Sequence, residues 1–336
     1  MEQLGEGKTI LAIESSCDET AVAILRNGQD LLASLVSSQM ELHARFGGVV
    51  PEVASRNHLI AAPVLVEQAL QQAGLDLQAV DAFAATTGPG LAAALMIGTA
   101  LAKGLALAAG KPFLAVNHME GHLLSPFFGK QEIPPHLALV VSGGHTLLVD
   151  VKGAGSYTIA GRTLDDAAGE AFDKVAKLIG LGYPGGPLID QMAEGGNASR
   201  YILPRGMRDS GDYQFSFSGL KTAVRYLIEK EKNISQPDLC ASFQEAVVEV
   251  LVEKTISAAQ HFWHTRIAVS GGVSCNRGLR KNLKTACAKH GLELHFAEPW
   301  LSTDNAAMIA FAASSRFASG EGSDIGRDIT PNFSGF

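Results

Sequence analysis

The chain repeats one local pattern at an interval that splits it in two. Thr9-Ile-Leu-Ala-Ile-Glu14 is an apolar run, Ser15-Ser-Cys-Asp-Glu-Thr20 a small polar turn, and Ala21-Val-Ala-Ile-Leu25 a second apolar run. The same order returns as Leu137-Ala-Leu-Val-Val141, Ser142-Gly-Gly-His-Thr146 and Leu147-Leu-Val-Asp-Val151, with Leu137 128 positions after Thr9. Short apolar runs around a Gly/Ser/Thr turn read as β-hairpins, and such turns present backbone N–H groups to an anion. Two copies at this spacing predict a duplicated domain with a cleft between the copies. Two ordinary hairpins in an α/β protein are the plainer alternative.

Helical periodicity falls near Pro51–Ala73, Gly90–Ala109, Asp166–Ile179, Ser218–Lys230 and Pro237–Trp263, and further helices start at Arg277 and Thr303. Strands are expected near Val80–Thr86, Phe113–Asn117, Arg266–Val269 and Leu292–Phe296. Strands alternating with helices predict an α/β fold with ligands at the carboxyl ends of strands. A length of 336 residues allows two domains of ordinary size. The expected division is 1–135 as an N-terminal lobe, 136–302 as a C-terminal lobe, and a last helix at about 303–325 packing back on the first. The most apolar stretch, 84–110, is interrupted by Pro89, glycines and Lys103, so it reads as a buried helix rather than a membrane span. The first strand arrives without a long apolar leader, so neither secretion nor a membrane is expected. Cys17, Cys240, Cys275 and Cys287 are scattered with no C-x-x-C pair, which points to a reducing, cytoplasmic setting.

His118-Met-Glu-Gly-His122 carries the clearest chemical signal. Two histidines four apart share one face of a helical turn and can share one metal ion. Two solvated or core histidines are the bland alternative. In the zinc-peptidase pattern H-E-x-x-H the base follows the first His directly. Here Glu120 stands one place later, about 100° further round the helix, and Gly121 weakens the helix. Asp304, at the start of the last helix, is either a plain N-cap or a third ligand. Two His and one carboxylate leave coordination positions open, as in non-haem iron and catalytic zinc sites.

Ser142-Gly143-Gly144-His145-Thr146 and Ser270-Gly271-Gly272-Val273 follow apolar strands, and their glycines let a ligand approach the main chain. Neither is a Walker loop, since no G-K-S/T follows. Asp166, Glu170 and Asp173 are expected on one helical face, either solvated or accepting from ribose hydroxyls. Gly182-Tyr-Pro-Gly-Gly-Pro187 is expected to be a sharp turn or helix stop. Net charge is −7 and the isoelectric point about 5.8, against nucleic-acid binding by the chain alone. Arg200, Arg205, Arg208, Lys221 and Arg225 give one segment a basic bias, a candidate anion- or RNA-facing edge if not simply solvated.

Several of these segments, with others, form a series. It runs Glu14-Ser-Ser-Cys-Asp-Glu-Thr20, Phe46-Gly-Gly-Val-Val-Pro-Glu-Val-Ala-Ser-Arg-Asn-His58, His118-Met-Glu-Gly-His122, Ser142-Gly-Gly-His-Thr146 and Asp165-Asp-Ala-Ala-Gly-Glu-Ala-Phe-Asp173. It continues through Tyr183-Pro-Gly-Gly-Pro187, Phe217-Ser-Gly-Leu-Lys221, Gly271-Gly-Val-Ser-Cys-Asn276 and Thr303-Asp-Asn-Ala-Ala-Met308. In order and spacing, over roughly residues 9 to 315, this resembles the tRNA threonylcarbamoyladenosine transferase catalytic-subunit family, once labelled O-sialoglycoprotein endopeptidase.

The resemblance implies an actin/sugar-kinase/Hsp70-like fold, two duplicated lobes with a nucleotide in the cleft. It implies transfer of threonylcarbamoyl from threonylcarbamoyl-AMP to N6 of the adenosine beside the anticodon, in tRNAs reading codons that begin with A, with release of AMP. His118, His122 and Asp304 match the family's ligands for one divalent iron or zinc ion. Val140, Val141, Ser142, Gly143, Gly144, Asp173, Gly186, Asp190 and Asn276 match its adenylate-binding positions. Glu14 and His145 are the candidate catalytic bases. The implied partners are tRNA, a paralogous dimer partner and a small P-loop ATPase. The tail after about 317 matches no pattern. Three rivals stand beside this reading: a metallopeptidase, which needs Glu120 as base; a non-catalytic nucleotide-binding module of the same fold; and a sugar or acetate kinase, which would leave the histidine pair unexplained.

Overall fold

The burial of β1 (Thr9–Glu14) sets the first sheet: all six of its residues are inaccessible, as a strand covered on both faces must be. The structure, a computed structural model, describes residues 7–320, 322–333 and 335–336. Contacts divide the chain into two units, Met1–Ile133 with Asp304–Phe336, and Pro134–Thr303.

In the first unit β1, β2 (Glu19–Arg26) and β3 (Asp30–Ser38) form an antiparallel meander, with Ile10 opposite Leu25 and Glu14 opposite Ala21. After α1 (Met40–Ala44) and α2 (Pro51–Ala73), β4 (Ala82–Gly88) pairs parallel to β1, and after α3 (Ala92–Ala109), β5 (Phe113–Asn117) pairs parallel to β4. The sheet order is β3-β2-β1-β4-β5. Leu11, Ile13, Val22, Ile24, Phe83 and Phe113 form its core. α2 opens on Pro51, whose missing N–H costs nothing in a first turn, and stops at Gly74 in the left-handed region (φ 64°). α3 is long and apolar enough to cross a membrane. It lies instead against β4 and α2, burying Ala94, Leu95, Gly98, Thr99, Ala102 and Ala106. The short α4 (His118–Leu124) follows β5 at once, and α11 (Ala306–Ala318) packs on β1, β2 and α4.

The second unit repeats this topology. β6 (His136–Val141), β7 (Thr146–Gly153) and β8 (Ser156–Arg162) form the meander, and β9 (Arg266–Ser270) and β10 (Glu293–Phe296) add in parallel, in the order β10-β9-β6-β7-β8. Its helices are α5 (Ala168–Leu178), α6 (Gly185–Met192), α7 (Ser218–Lys230), α8 (Gln236–His261), α9 (Arg277–His290) and α10 (Pro299–Ser302). α8 is buried along its length through Leu239, Phe243, Val247, Leu251 and Ile256. At roughly 1.5–3 kcal/mol for each buried large apolar side chain, such a helix is held by packing rather than by propensity.

Three local expectations change. Gly185 is the first residue of α6 rather than part of a helix stop, because the extended Pro184 precedes it. Asp166 lies before α5, so it does not share a helical face with Glu170 and Asp173. Asn305, not Asp304, caps the last helix.

His136, the first residue of β6, is fully buried, and its Nδ1 donates to the Pro134 carbonyl at 2.7 Å. Burial pushes its pKa down to about 4, with the neighbouring His264, His295 and Arg266 adding to the effect. A depressed histidine contributes stability above its unfolded value of about 6.5, and that contribution is lost as pH falls towards 4. The expected loss is about 3 kcal/mol. Urea unfolding at pH 7.5 and 4.5 should show this difference shrinking in His136→Leu; an unchanged difference would assign the acid sensitivity elsewhere.

Candidate functional site

Strands β1, β4 and β5 are parallel, so their carboxyl ends meet at one edge, where Glu14 ends β1, Thr86 lies in β4 and Asn117 ends β5. Asn117 Oδ1 accepts from the Met119 backbone N–H at 2.9 Å and starts α4 at His118. One helical turn then sets the His118 and His122 rings 4.8 Å apart with their planes at 90°. A seven-residue helix has little stability of its own; here all seven residues are buried.

Asp304 comes from the other end of the unit. Asn305 Oδ1 caps α11 by accepting from the Met308 N–H at 2.9 Å, which leaves Asp304 one residue outside the helix. Its Oδ1 stands 3.2 Å from His122 Nε2 and 3.4 Å from His118 Nε2. One donor atom from each of the three residues lies within 4.8 Å of the others. Tetrahedral ligands at about 2.1 Å from an ion stand about 3.4 Å apart, so the donor set fits a small divalent metal. Gly121 makes the approach possible. A Cβ there would lie 2.9 Å from Ile309 Cδ1 and 3.0 Å from Met308 Cγ. The glycine that weakens α4 is what lets α11 close on it.

Behind the ligands sits Glu14, with no solvent exposure. Its Oε2 is 3.0 Å from His118 Nδ1 and accepts from Thr86 Oγ1 at 2.5 Å, while Oε1 accepts from the Ser16 N–H at 2.5 Å. A carboxylate on Nδ1 fixes the ring and its tautomer and turns Nε2 to the open side. Burial alone raises the Glu14 pKa, but His118 more than offsets it and holds the carboxyl below its usual range. Burial likewise opposes a charged His118, yet Asp304 and Glu14 hold its pKa well above the ordinary value. The carboxylates thus favour positive charge where a cation fits. Both Glu14 oxygens are thus engaged within the protein, by Ser16, Thr86 and His118. His122 has no such support. Its Nδ1 is buried without a hydrogen-bond partner among the described residues, and burial lowers its pKa.

Glu120 is not among the converging ligands; its carboxylate lies 3.7 Å from Arg316 on α11.

Two supports were not legible in the sequence. His58 Nε2 donates to the Cys17 carbonyl at 2.9 Å and its Nδ1 accepts from Thr20 Oγ1 at 2.7 Å, pinning the turn after Glu14. The C-terminal segment, which matches no pattern, runs past the same edge. Thr330 N–H donates to the Thr87 carbonyl at 2.7 Å, Gly90 N–H to the Pro331 carbonyl at 3.0 Å, and Asn117 Nδ2 to the Gly335 carbonyl at 3.3 Å.

In the second unit the positions that the resemblance assigns to adenylate are linked by a circuit of contacts. Val140 and Val141 are buried in β6, and Gly143 and Gly144 are exposed in the turn that follows. His145, half-buried, ends that turn, with its N–H on Ser142 Oγ at 3.1 Å. The Gly169 N–H donates to the Ser142 carbonyl at 3.2 Å and sets α5 against the turn. Asp173 on α5 accepts from the Gly185 N–H at 2.7 Å, beside Gly186. Asp190 on α6 accepts from Arg277 Nε at 2.8 Å, next to Asn276. Asn276 caps α9 and donates to Gln244 Oε1 at 2.7 Å. Gly271, at φ 88°, closes the circuit: a Cβ there would stand 2.4 Å from the Val141 carbonyl oxygen. Asp166 and Glu170 instead meet on Lys174, at 2.6 and 3.0 Å.

A family model for tRNA N6-adenosine threonylcarbamoyltransferase (TsaD) matches residues 30–311. The chain belongs to this family. A relative of that name from Syntrophotalea carbinolica is 48% identical over 96% of both chains. One from Verminephrobacter eiseniae is 50% identical over 97% of this chain and 98% of its own. A third, from Thermotoga neapolitana, is 50% identical over 90% and 92%. Among solved structures, full-length HypF in a phosphate- and nucleotide-bound form aligns with a TM-score of 0.63 at 13% identity, over 94% of this chain and 47% of its own. Component A of (R)-2-hydroxyglutaryl-CoA dehydratase from Acidaminococcus fermentans aligns at 0.55 and 15%, over 93% and 99%. These neighbours show the fold alone: the duplicated actin/sugar-kinase/Hsp70-like class.

Glu14→Gln should weaken divalent-metal binding about 10- to 100-fold by removing the charge behind His118. Asp304→Ala and His122→Ala should abolish stoichiometric metal. Chelator competition with elemental analysis reads both; a Glu14→Gln protein with parental affinity would remove Glu14 from this role.

Proposed function

We propose that this chain is the acyltransferase that moves threonylcarbamoyl from threonylcarbamoyl-AMP to N6 of the adenosine 3′ of the anticodon, in tRNAs reading codons that begin with A. Close identity over nearly the whole length to transferases of that name is the observation that carries the reading. The convergence of His118, His122 and Asp304 supports it, since neither a kinase nor a non-catalytic nucleotide module needs that triad.

In the reaction the N6 amine attacks the carbamoyl carbon of the mixed anhydride. A C–N bond forms, the bond from that carbon to the phosphate oxygen breaks, AMP leaves with the electron pair, and the amine gives up a proton. The amine is a weak nucleophile, so the anhydride and positioning must supply the rate. His118, His122 and Asp304 would hold one divalent iron or zinc ion, which when bound supplies a Lewis acid for the threonylcarbamoyl group. Glu14 orients His118. The turn from Val140 to Gly144, with Asp173, Gly186, Asp190 and Asn276, holds the AMP part. Exposed Gly143 and Gly144 offer backbone N–H groups without side chains in the way. His145, at the end of that turn, is assigned to receive the amine proton. A paralogous dimer partner and a small P-loop ATPase complete the assembly. The setting is the cytoplasm, where the four free cysteines stay reduced.

The test is transfer from threonylcarbamoyl-AMP to unmodified tRNA with metal and partners present. The parent protein should form modified adenosine, His118→Ala should lose at least about 100-fold, and His145→Gln should lower kcat with metal content unchanged. No product from the parent under these conditions would overturn the reading.

A further inference from the structure

One helix of the acidic chain gathers five cations and no acid. α9 carries Arg277, Arg280, Lys281, Lys284 and Lys289, and neither Asp nor Glu. Without these five charges the rest of the chain stands at −12, against −7 for the whole. Leu279, Leu283 and Cys287 face the core of the second unit. Two of the cations are already engaged: Arg277 pairs with Asp190 and Glu194, and Arg280 stacks on Phe296 at 4.4 Å while donating to the Ser274 carbonyl. Lys281, Lys284 and Lys289 are exposed and form no ion pair among the described residues. In the segment that looked basic in sequence, Arg205, Arg208 and Arg225 are paired with Glu249, Glu253 and Glu229, while Arg200 and Lys221 are exposed.

The far end of α9 adds an aromatic group. Gln260 Nε2 donates to His290 Nδ1 at 3.0 Å, which sets the end of α8 beside the end of α9. Three residues after Gln260, Trp263 is 91% exposed at φ +57°. An indole left so open is unusual, and among the described side chains only Ile202 is a more exposed large apolar group. Lysines without partners along a helix, ending at an exposed indole, are the elements of single-stranded nucleic-acid recognition: cations track phosphates and a ring stacks on an unpaired base. The stripe starts at Asn276, one of the adenylate positions, and runs about 21 Å along the helix.

We propose that the outward face of α9, with Trp263, is a docking surface for the phosphate backbone and an unstacked base of the tRNA substrate. The inference rests on the transferase reading for the identity of its RNA. Opposite charge selects the occupant: a polyanion gains from three unpaired lysines by releasing counterions, and each phosphate contact contributes about 0.7–0.9 to the salt slope.

The experiment uses the protein with its partners, threonylcarbamoyl-AMP and unmodified tRNA. The combined variant Lys281→Gln, Lys284→Gln, Lys289→Gln should raise the KM for tRNA about tenfold or more. The slope of log affinity against log salt should become shallower by about 2. Its kcat, metal content and KM for threonylcarbamoyl-AMP should match the parent, and the three arginine replacements should restore tRNA binding. Trp263→Ala should weaken tRNA about tenfold with the slope unchanged. Parental KM and slope in the lysine variant would overturn the proposal, as would loss of a protein partner with tRNA binding intact, which would make the face a protein-docking surface. A parent protein that binds tRNA with this slope yet transfers nothing would overturn the transferase reading and leave the surface standing.

Discussion

The contact between Glu14 and His118 is the constraint on which the first unit's site depends. Both side chains are out of solvent, so each is tolerable only because of the other. Removing one partner of such a pair leaves a buried charge uncompensated, at a cost of about 3–5 kcal/mol. Glu14 must therefore meet three donors at once, and these come from the turn after β1, from β4 and from the start of α4. A parallel arrangement of β1, β4 and β5 brings those places to one edge. An antiparallel pairing of β4 with β1 would carry Thr86 to the opposite edge. The sheet topology and the orientation of one imidazole are thus the same requirement seen at two scales.

The duplication gives the two units one topology and different chemistry in the equivalent turn. After β1 the turn is Ser15-Ser-Cys-Asp-Glu-Thr20, pinned by His58 and drawn tight against Gly90, where a Cβ would stand 2.5 Å from the Ser16 carbonyl oxygen. After β6 it is Ser142-Gly-Gly-His, and added Cβ atoms at Gly143 and Gly144 would meet nothing within 4 Å. The first turn is filled from within the protein and supports the carboxylate that holds His118. The second is left open at its backbone, as a turn that holds part of a ligand needs to be. Identical pairing schemes fix where each turn stands. The side chains around it decide whether it becomes support or receptor.

Much of this was legible before the structure. The paired apolar runs announced the duplication because strand pairing is written in local hydrophobic pattern, and His118 with His122 announced a shared face of donor atoms because helical spacing is local too. What was not legible depends on distant segments. β3 and β8 are edge strands of mixed polarity, half-exposed, with no clean alternation to mark them. The partners of Glu14 were not legible because an isolated carboxylate in a motif carries no sign of its neighbours; Thr86 and His118 lie 72 and 104 residues on. Gly121 looked like a defect for the same reason. Its purpose is set by Met308 and Ile309, which the helix containing it cannot indicate. The tail matched no pattern, yet it hydrogen-bonds to Thr87, Gly90 and Asn117 through backbone and cap groups that leave little mark on residue type.

Asp304 shows why the unit needs its last helix. It lies 182 residues after His122, with the whole second unit inserted between them. Asn305 is the residue that makes this separation harmless. By taking the capping role it fixes the start of α11, and the carboxylate one place before the cap is held beside that start. Burial of every side chain from Ala306 to Ala313 holds that helix in place against β1, β2 and α4. Asp304 is thereby anchored next to a packed helix, while the two histidines stand on α4 itself. A site assembled from two packed helices and a strand end has its geometry set when the first unit folds, and its precision comes from the core rather than from the ion it fits.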